Sequence, residues 1–472
     1  MLISLIEYAE NHGKSADTLR RMAEANLLKT ARKIGRNWVI DSDEEYPVKK
    51  RTNRRRIKVL SLFSGCGGFD LGFGGNFSVL AKSINQKINP DWRCANGADE
   101  HWKHLPKTRF HTVFANDMRE DAKVAWSTYF GKRKIDISTY WLESIVDILK
   151  SHKAGNKIFP KNIDVVIGGF PCQDSSAADK RLEINCAKSY NGANPELDKS
   201  SIENRGQLYM WMKEVIEITQ PKVFIAENIK ELVNLDNAAS IIEDDFRSIG
   251  GDGYLVADAR LLHAADYGIP QSRERVVFIG FKKSALTKTA LTELSAKEIS
   301  CLYDPYPPQT HAYTKEGEDL LPPIKLSQAF VGLVEPDSSE DESQRKYSKE
   351  KYMGSHCQGQ TEVDLDDIGP TICSEHHGNV EYRRLSAENG GKYTEELQNG
   401  LVERRLTVRE CARIQTFPDD YEFIIPPKHR EKGVSVSDAY KIIGNSVPPL
   451  LGYHIAKRLE KNWDLYFEND AK

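Results

Sequence analysis

From Ile57 to about residue 282, short apolar runs rich in β-branched residues take turns with helical stretches, and this alternation constrains the fold more than any other feature. The runs are Ile57–Phe63, Val113–Ala115, Ile163–Ile167, Val223–Ala226 and Val276–Phe281. Gly206–Thr219 and Asp236–Ile249 fit the helices between them. Strand and helix in series predict an α/β fold, a mostly parallel sheet with helices on both faces.

The segments on either side read differently. Over 1–47, Leu2, Leu5, Ile6 and Ala9 recur at helical spacing until His12-Gly13 breaks the pattern. A second helix fits Ser15 to Ala25, with Ser15 as N-cap and Leu19 and Met22 facing in. Lys29 to Ile40 reads as a two-stranded ribbon turning at Gly35. Helix, turn, helix, ribbon is the order of a winged helix-turn-helix, and it resembles the excisionase and MerR-like DNA readers. That resemblance puts Arg20 and Arg21 against DNA and Lys29, Arg32, Lys33 and Arg36 on phosphates. A structural cap or a protein-binding module is the alternative. Residues 48–56 form a basic linker. The charge is uneven in the same sense: residues 1–58 hold 14 Lys and Arg against 8 Asp and Glu, a net of +6, so the chain total of −3 leaves −9 for the rest. A local basic segment permits a nucleic-acid partner that the total does not imply.

Residues 283–403 lose the alternation. They carry proline-rich turns such as Tyr306-Pro307-Pro308 and a polar stretch from Glu335 to Tyr352, expected as a surface loop or partly disordered segment. Helical patterning returns over 404–472. No apolar run approaches the ~18–20 residues of a membrane span. Met1 to Glu7 lacks the basic and long apolar regions of a secretory signal. Eight scattered cysteines fit a reducing cytoplasm better than a disulfide scaffold.

Chemistry-bearing residues gather where the predicted strands end. Phe63-Ser64-Gly65-Cys66-Gly67-Gly68 follows the first strand, a glycine-rich turn that lets backbone approach a nucleotide-like ligand, or that merely packs tightly. It lacks the dinucleotide G-x-G-x-x-G spacing. Gly168-Gly169-Phe170-Pro171-Cys172-Gln173 follows the third, placing Cys172 on a loop as a nucleophile once ionised; an inert cysteine is the plain reading. Glu227-Asn228 ends the fourth strand, a candidate acid or a helix cap. Gln271-Ser272-Arg273-Glu274-Arg275 enters the fifth with two arginines at alternate positions, expected on one side, to clamp a carboxylate, phosphate or carbonyl edge.

These motifs, in this order, resemble the cytosine-C5 DNA methyltransferases. Arg404 to Pro418 (R-R-L-T-V-R-E-C-A-R-I-Q-T-F-P) and Gly444 to Pro448 (G-N-S-V-P) continue the series. The resemblance covers about 57–282 and 404–462. It implies a Rossmann-like sheet using S-adenosylmethionine, with 283–403 as a smaller, irregular target-recognition domain. By it, Phe63, Gly65, Cys66, Gly67 and Gly68 cradle the cofactor, Asp117 binds its ribose, and Met118, Asp136 and Ile137 meet the adenine. Gly169, Pro171, Leu208, Asn445 and Ser446 complete that pocket. Cys172 is the nucleophile toward cytosine C6, Glu227 the group at N3, and Arg275, with Arg273 nearby, steadies O2. Pro171, Gln173 and Asn228 support the base pocket. The base must leave the duplex, since C6 is unreachable within the stack.

Double-stranded DNA is the implied partner, with operator DNA for the head. The implied enzyme is cytoplasmic, acts as a monomer in catalysis with a head able to dimerise, and serves a restriction-modification system. No metal is expected: His356, Cys357, Cys373, His376 and His377 lack a standard zinc spacing. Lys346, Lys349 and Lys351 are candidates for phosphate contact. Two other readings stay open, a tRNA cytosine methyltransferase and a transcription regulator with an inactive methyltransferase part. One departure stands out. Gly68 and Asp117 are separated by 48 residues, an interval the family usually keeps short, so residues near Asn85 to Arg109 look like an insertion without an assigned role.

Overall fold

The computed structural model describes residues 2–170 and 208–468, except 12–15, 17–18, 21–22, 24–27, 29, 36, 43, 45–54, 98, 231, 233–237, 251–252, 356–358, 375–379 and 429–431. The chain divides into two compact units, Met1–Arg55 and Arg56–Lys472.

In the larger unit seven strands form one sheet. In chain order they are β1 (Ile57–Leu62), β2 (Phe110–Asp117), β3 (Tyr140–Leu142), β4 (Val165–Gly169), β5 (Val223–Ile229), β6 (Tyr254–His263) and β7 (Glu274–Lys282). Their order across the sheet is β6-β7-β5-β4-β1-β2-β3. β7 runs antiparallel to both neighbours, and the other pairings are parallel. The expected mostly parallel α/β sheet is thus present. β3 and β6 escaped the sequence pattern for a shared reason: both are edge strands. β3 is three residues long, and β6 carries Asp258 and Arg260, which an edge tolerates and a central strand does not.

Both faces of the sheet are buried, which is why its central strands read as continuous apolar runs. Val59, Val165, Ile167, Val223 and Ile225 face one core. Leu60, Leu62, Val166, Phe224 and Ala226 face the other. The first face is covered by α1 (Gly68–Gly74), α2 (Glu120–Lys132) and the last helix, α8 (Pro449–Tyr466). Glycine sets the closeness of α1 to α8: a Cβ on Gly72 would lie 2.5 Å from the Pro449 carbonyl and 2.8 Å from Gly452 Cα. α3 (Ile145–Lys153), α4 (Leu208–Thr219) and α5 (Ala238–Arg247) lie on the opposite side. α6 (Val408–Ile414) and α7 (Val436–Gly444) precede α8.

The stretch from Glu335 to Tyr352, expected as a loop or disordered segment, is ordered. It contains the short helix Glu342–Arg345, with Ser343 and Gln344 buried. Two of its acidic residues are ion-pair partners of arginines distant in sequence. Glu335 meets Arg384 (2.6 Å) and Arg404 (3.2 Å), and Asp341 meets Arg409 (2.6 Å).

The segment called an insertion, near Asn85 to Arg109, contributes Ala95–Asn96 and Trp102–His104 to a small three-stranded antiparallel sheet, in which Trp102–His104 lies between Ala95–Asn96 and the preceding strand Ser78–Leu80. No helix among the described residues is long and apolar enough to cross a membrane.

The smaller unit has strand Leu2–Ser4, helix Leu5–Asn11 and a hairpin of Arg32–Ile34 and Asn37–Asp41, whose second strand also pairs with Leu2–Ser4. Leu5, Tyr8, Ala9, Leu19, Ala23, Leu28 and Ile40 form its core. Arg20, Arg32 and Lys33 are exposed, while Arg21, Arg36 and Met22 lie outside the described residues.

Candidate active site

Of the residues picked from the sequence, the glycine turn follows β1, Asp117 ends β2, Gly169 ends β4, and Glu227 and Asn228 lie near the end of β5, the edge where ligands bind open α/β sheets. After β1 the chain turns sharply: Phe63 (φ 52°), Gly65 (φ 53°) and Gly67 (φ 81°) are all left-handed. For Phe63 that conformation is strained, and the turn is held from both sides. Ser64 N–H donates to the Asn116 carbonyl (2.8 Å), Gly65 N–H to Asp117 Oδ2 (2.9 Å), and the Tyr140 hydroxyl to the Gly65 carbonyl (3.0 Å). Tyr140 was not singled out from the sequence, because three residues of strand carry little pattern.

Asp117 also accepts from Arg119 N–H (2.9 Å), and desolvation of the half-buried carboxyl raises it above its ordinary range. Beside it four large apolar side chains stay open: Met118 (75% exposed), Ile137, Trp141 and Leu142. An uncovered apolar surface next to a carboxylate and bare backbone fits a flat heteroaromatic ring joined to a hydroxyl-bearing sugar. Asp136 is exposed and caps its own turn by accepting from Ser138 N–H. Cys66 departs from expectation. Its side chain is fully buried, Sγ donates to the Ile442 carbonyl (3.2 Å), and burial pushes the thiol up to about 12. Within the turn, then, its thiol faces the core, and only its backbone is left to meet a ligand.

Gly68 is pressed by the returning chain: a Cβ there would sit 2.0 Å from Ser446 Oγ. Ser446 is buried against the turn while Asn445 is exposed. Leu208 opens α4, its side chain outside the described residues.

A second group of residues converges one strand away. Glu227 is only 7% exposed and lies beside Gly169 in register. A Cβ on Gly169 would come 2.7 Å from Glu227 Oε2. Arg275 Nε lies 2.9 Å from Glu227 Oε1 as an ion pair, yet that oxygen has no aligned hydrogen-bond donor among the described residues. Asn228 Nδ2 donates to the Phe170 carbonyl (3.1 Å), tying the exit of β4 to β5. That exit leads into Pro171, Cys172 and Gln173, which lie outside the described residues.

The two arginines take different partners. β7 begins at Glu274, so strand alternation does not extend back to Arg273. Arg273 is buried and donates to the carbonyls of Ile372 (3.1 Å), Gly444 (3.0 Å) and Ser446 (3.0 Å). Burial, with Arg275 adding repulsion, lowers its pKa to about 9. It joins 372 and 444–446 to the sheet, and Arg275 alone reaches Glu227.

A profile of C-5 cytosine-specific DNA methylases matches residues 57–461. The chain belongs to that family. The Type II methyltransferase M.BsuRI of Bacillus subtilis is 30% identical over 91% of this chain and 85% of its own length. The Type II methyltransferase M.NgoPII of Neisseria gonorrhoeae is 30% identical over 87% and 97%. Among solved structures, the S. pombe Dnmt2 methyltransferase has a TM-score of 0.48 and 16% identity, over 86% of this chain and 99% of its own. This C-5 cytosine-specific DNA methylase places its glycine turn, Asp117 and Glu227 at one edge of one sheet. His356, Cys357, His376 and His377 lie outside the described residues, and no cluster of metal-ligating side chains occurs among the rest.

Proposed function

We propose that this methylase transfers a methyl group to C5 of cytosine in duplex DNA, through a transient bond between Cys172 and C6. The observation that carries the reading is Glu227: a buried carboxyl with one oxygen that lacks an aligned donor among the described residues, paired with Arg275 and with its other oxygen in the space a Cβ on Gly169 would take. S-adenosylmethionine, when bound, supplies an electrophilic methyl. The backbone of the turn at 63–67 would hold it, with Asp117 on the ribose hydroxyls and Met118, Asp136 and Ile137 at the adenine. Gly169, Asn445 and Ser446 would border it.

The chain's own groups then act on the base. The Cys172 thiolate adds to C6, and Glu227 hydrogen-bonds or protonates N3, so that electron density accumulates at C5. Arg275 holds Glu227 and reaches toward O2. Once C5 has taken the methyl it gives up its proton to water, the C6–S bond breaks to return the thiolate, and N3 returns its proton to Glu227. Asn228 sets the start of the loop bearing Cys172 through its bond to the Phe170 carbonyl.

The family and the Type II methyltransferases it resembles support a place in a restriction-modification system. The head is proposed as a second DNA reader of winged helix-turn-helix type. Its own core and a hairpin with Arg32 and Lys33 turned outward support this.

Purified protein with methyl donor is expected to trap covalently on a duplex carrying 5-fluorocytosine at its site, and Cys172→Ala is expected not to trap. Bisulfite sequencing of host DNA supplies that site. No trapping on duplex, or methylation of tRNA in preference to duplex, overturns the reading. Deletion of residues 1–56 is expected to spare methylation and abolish operator binding; loss of methylation would assign the head to catalysis instead.

A further inference from the structure

The insertion faces two ways. Its inner side packs on α8, where Trp92 is buried edge-on to Tyr453 at 4.8 Å. Its outer side holds the 283–403 region by a buried polar joint. Asn85 is 2% exposed, and its Nδ2 donates to two carbonyls, Thr310 (2.9 Å) and Asp319 (2.7 Å). Its Oδ1 accepts from Lys87 N–H (3.1 Å), so the amide spans both sides of the joint. Buried His311 answers from the recognition side, its Nε2–H donating to the Lys82 carbonyl (3.0 Å). The joint closes on Gly268, where a Cβ would lie 2.7 Å from the Ser83 carbonyl and 2.6 Å from His311 Cε1. Gly268 ends the turn after β6, five residues before Arg273 and seven before Arg275.

We infer that the insertion is the seat of the target-recognition region, and that Asn85 is a positioning residue that registers this region against the loop delivering Arg273 and Arg275. A buried amide that bonds carbonyls across the joint fixes the placement of its two sides, because its loss takes the side-chain donor from the Asp319 carbonyl and one of two donors from that of Thr310, which keeps Leu321 N–H (3.1 Å). A mainly apolar contact would tolerate sliding. The cofactor turn shares no residue of this joint. The inference rests on the proposed DNA methylation, and wild-type turnover on cognate duplex tests that reading by itself.

The experiment compares full-length wild type with Asn85→Ala, Asn85→Ser and Lys87→Ala. KM for cognate duplex, the ratio of cognate to near-cognate methylation, kcat at saturating duplex and the dissociation constant for S-adenosylmethionine are measured. Loss of one doubly used buried amide is expected to raise KM for duplex about tenfold. Near-cognate discrimination is expected to fall with it, while cofactor affinity stays within about twofold. Lys87, whose pair with Asp319 is exposed, is expected to behave as wild type. Hydrogen exchange on cofactor-bound protein supplies a readout that does not need turnover: amides of 309–321 are expected to exchange faster in the Asn85 variants, with those of 110–117 unchanged. Unchanged KM and discrimination in a folded variant overturn the inference. So does a parallel fall of cofactor affinity and duplex affinity, or exchange raised uniformly along the chain, either of which reduces Asn85 to a general stabiliser.

Discussion

At the residue scale the site turns on a missing methyl. Gly169 and Glu227 are register partners on parallel strands, and the carboxylate occupies the space a side chain on Gly169 would need. Gly169→Ala is therefore expected to displace Glu227 rather than to break β4. Methylation should fall by about 10²-fold, the range assigned to a positioned acid–base group, with the melting temperature little changed. Glu227→Gln should lose activity to a similar degree, because the amide keeps the shape but cannot transfer the proton. Single-turnover kinetics on cognate duplex check both. If Gly169→Ala retained full rate, the carboxyl would have room to spare and its placement would not matter. Glu227 was legible in sequence as a polar residue ending an apolar run. Its dependence on Gly169 was not, since register between distant strands leaves no local trace. Cys66 shows the converse: it sits inside a legible motif, yet its thiol is turned into the core.

At the level of elements, the segment from Arg404 to Arg413 looks like a charged surface and is the opposite. Arg404, Arg405, Arg409 and Arg413 are all buried. Arg405 donates to the carbonyls of Glu350 (3.0 Å) and Val380 (2.6 Å), and Arg413 to those of Ala329 (3.1 Å) and Val331 (2.7 Å). These side chains draw the 283–403 region onto Arg405 and α6. Charge density in sequence could not show this, because the carbonyls and carboxylates concerned come from elsewhere in the chain. Glu335 makes the point quantitatively. Burial alone would raise its carboxyl, but Arg384 and Arg404 outweigh it and hold the pKa down to about 2. Arg384 and Arg404 each keep a second carboxylate, Glu396 and Glu410. Glu335→Ala is accordingly expected to cost about 2 kcal/mol, less than the ~3–5 kcal/mol of a fully orphaned buried charge. Glu422→Ala removes only an exposed pair with Lys132 and should cost under about 1 kcal/mol. Urea denaturation of the three proteins decides; equal losses would mean that the buried network carries no special weight.

For the whole molecule, two buried groups give stability opposing dependences on pH. Asp70 lies in the helix that follows the glycine turn, fully buried, accepting from Ser61 Oγ (3.2 Å) and Thr112 Oγ1 (2.8 Å). Burial raises its pKa to about 6. His454 on α8 donates to the Tyr267 carbonyl (3.1 Å), and burial pushes its pKa down to about 3. The signs oppose. Between about 4 and 6 the folded chain keeps the Asp70 proton that the unfolded chain releases, so this group adds stability as pH falls. Between about 3 and 6.5 the unfolded chain takes a His454 proton that the folded chain refuses, so this group removes stability as pH falls. Each slope approaches about 1.4 kcal/mol per pH unit, and over the shared window they nearly cancel. Asp70→Asn removes one slope and keeps a hydrogen-bonding side chain for Ser61 and Thr112. The variant should be more stable than wild type by about 2 kcal/mol at pH 7, lose that advantage as pH falls through 6, and show none near pH 4. Its own stability should then drop with acid more steeply than that of wild type, exposing the histidine slope. Guanidinium denaturation of both proteins from pH 4 to 7 measures the difference directly. A gap between the two curves that stays constant across that range would mean that Asp70 titrates alike in the folded and unfolded chain, so that its burial leaves proton affinity unchanged.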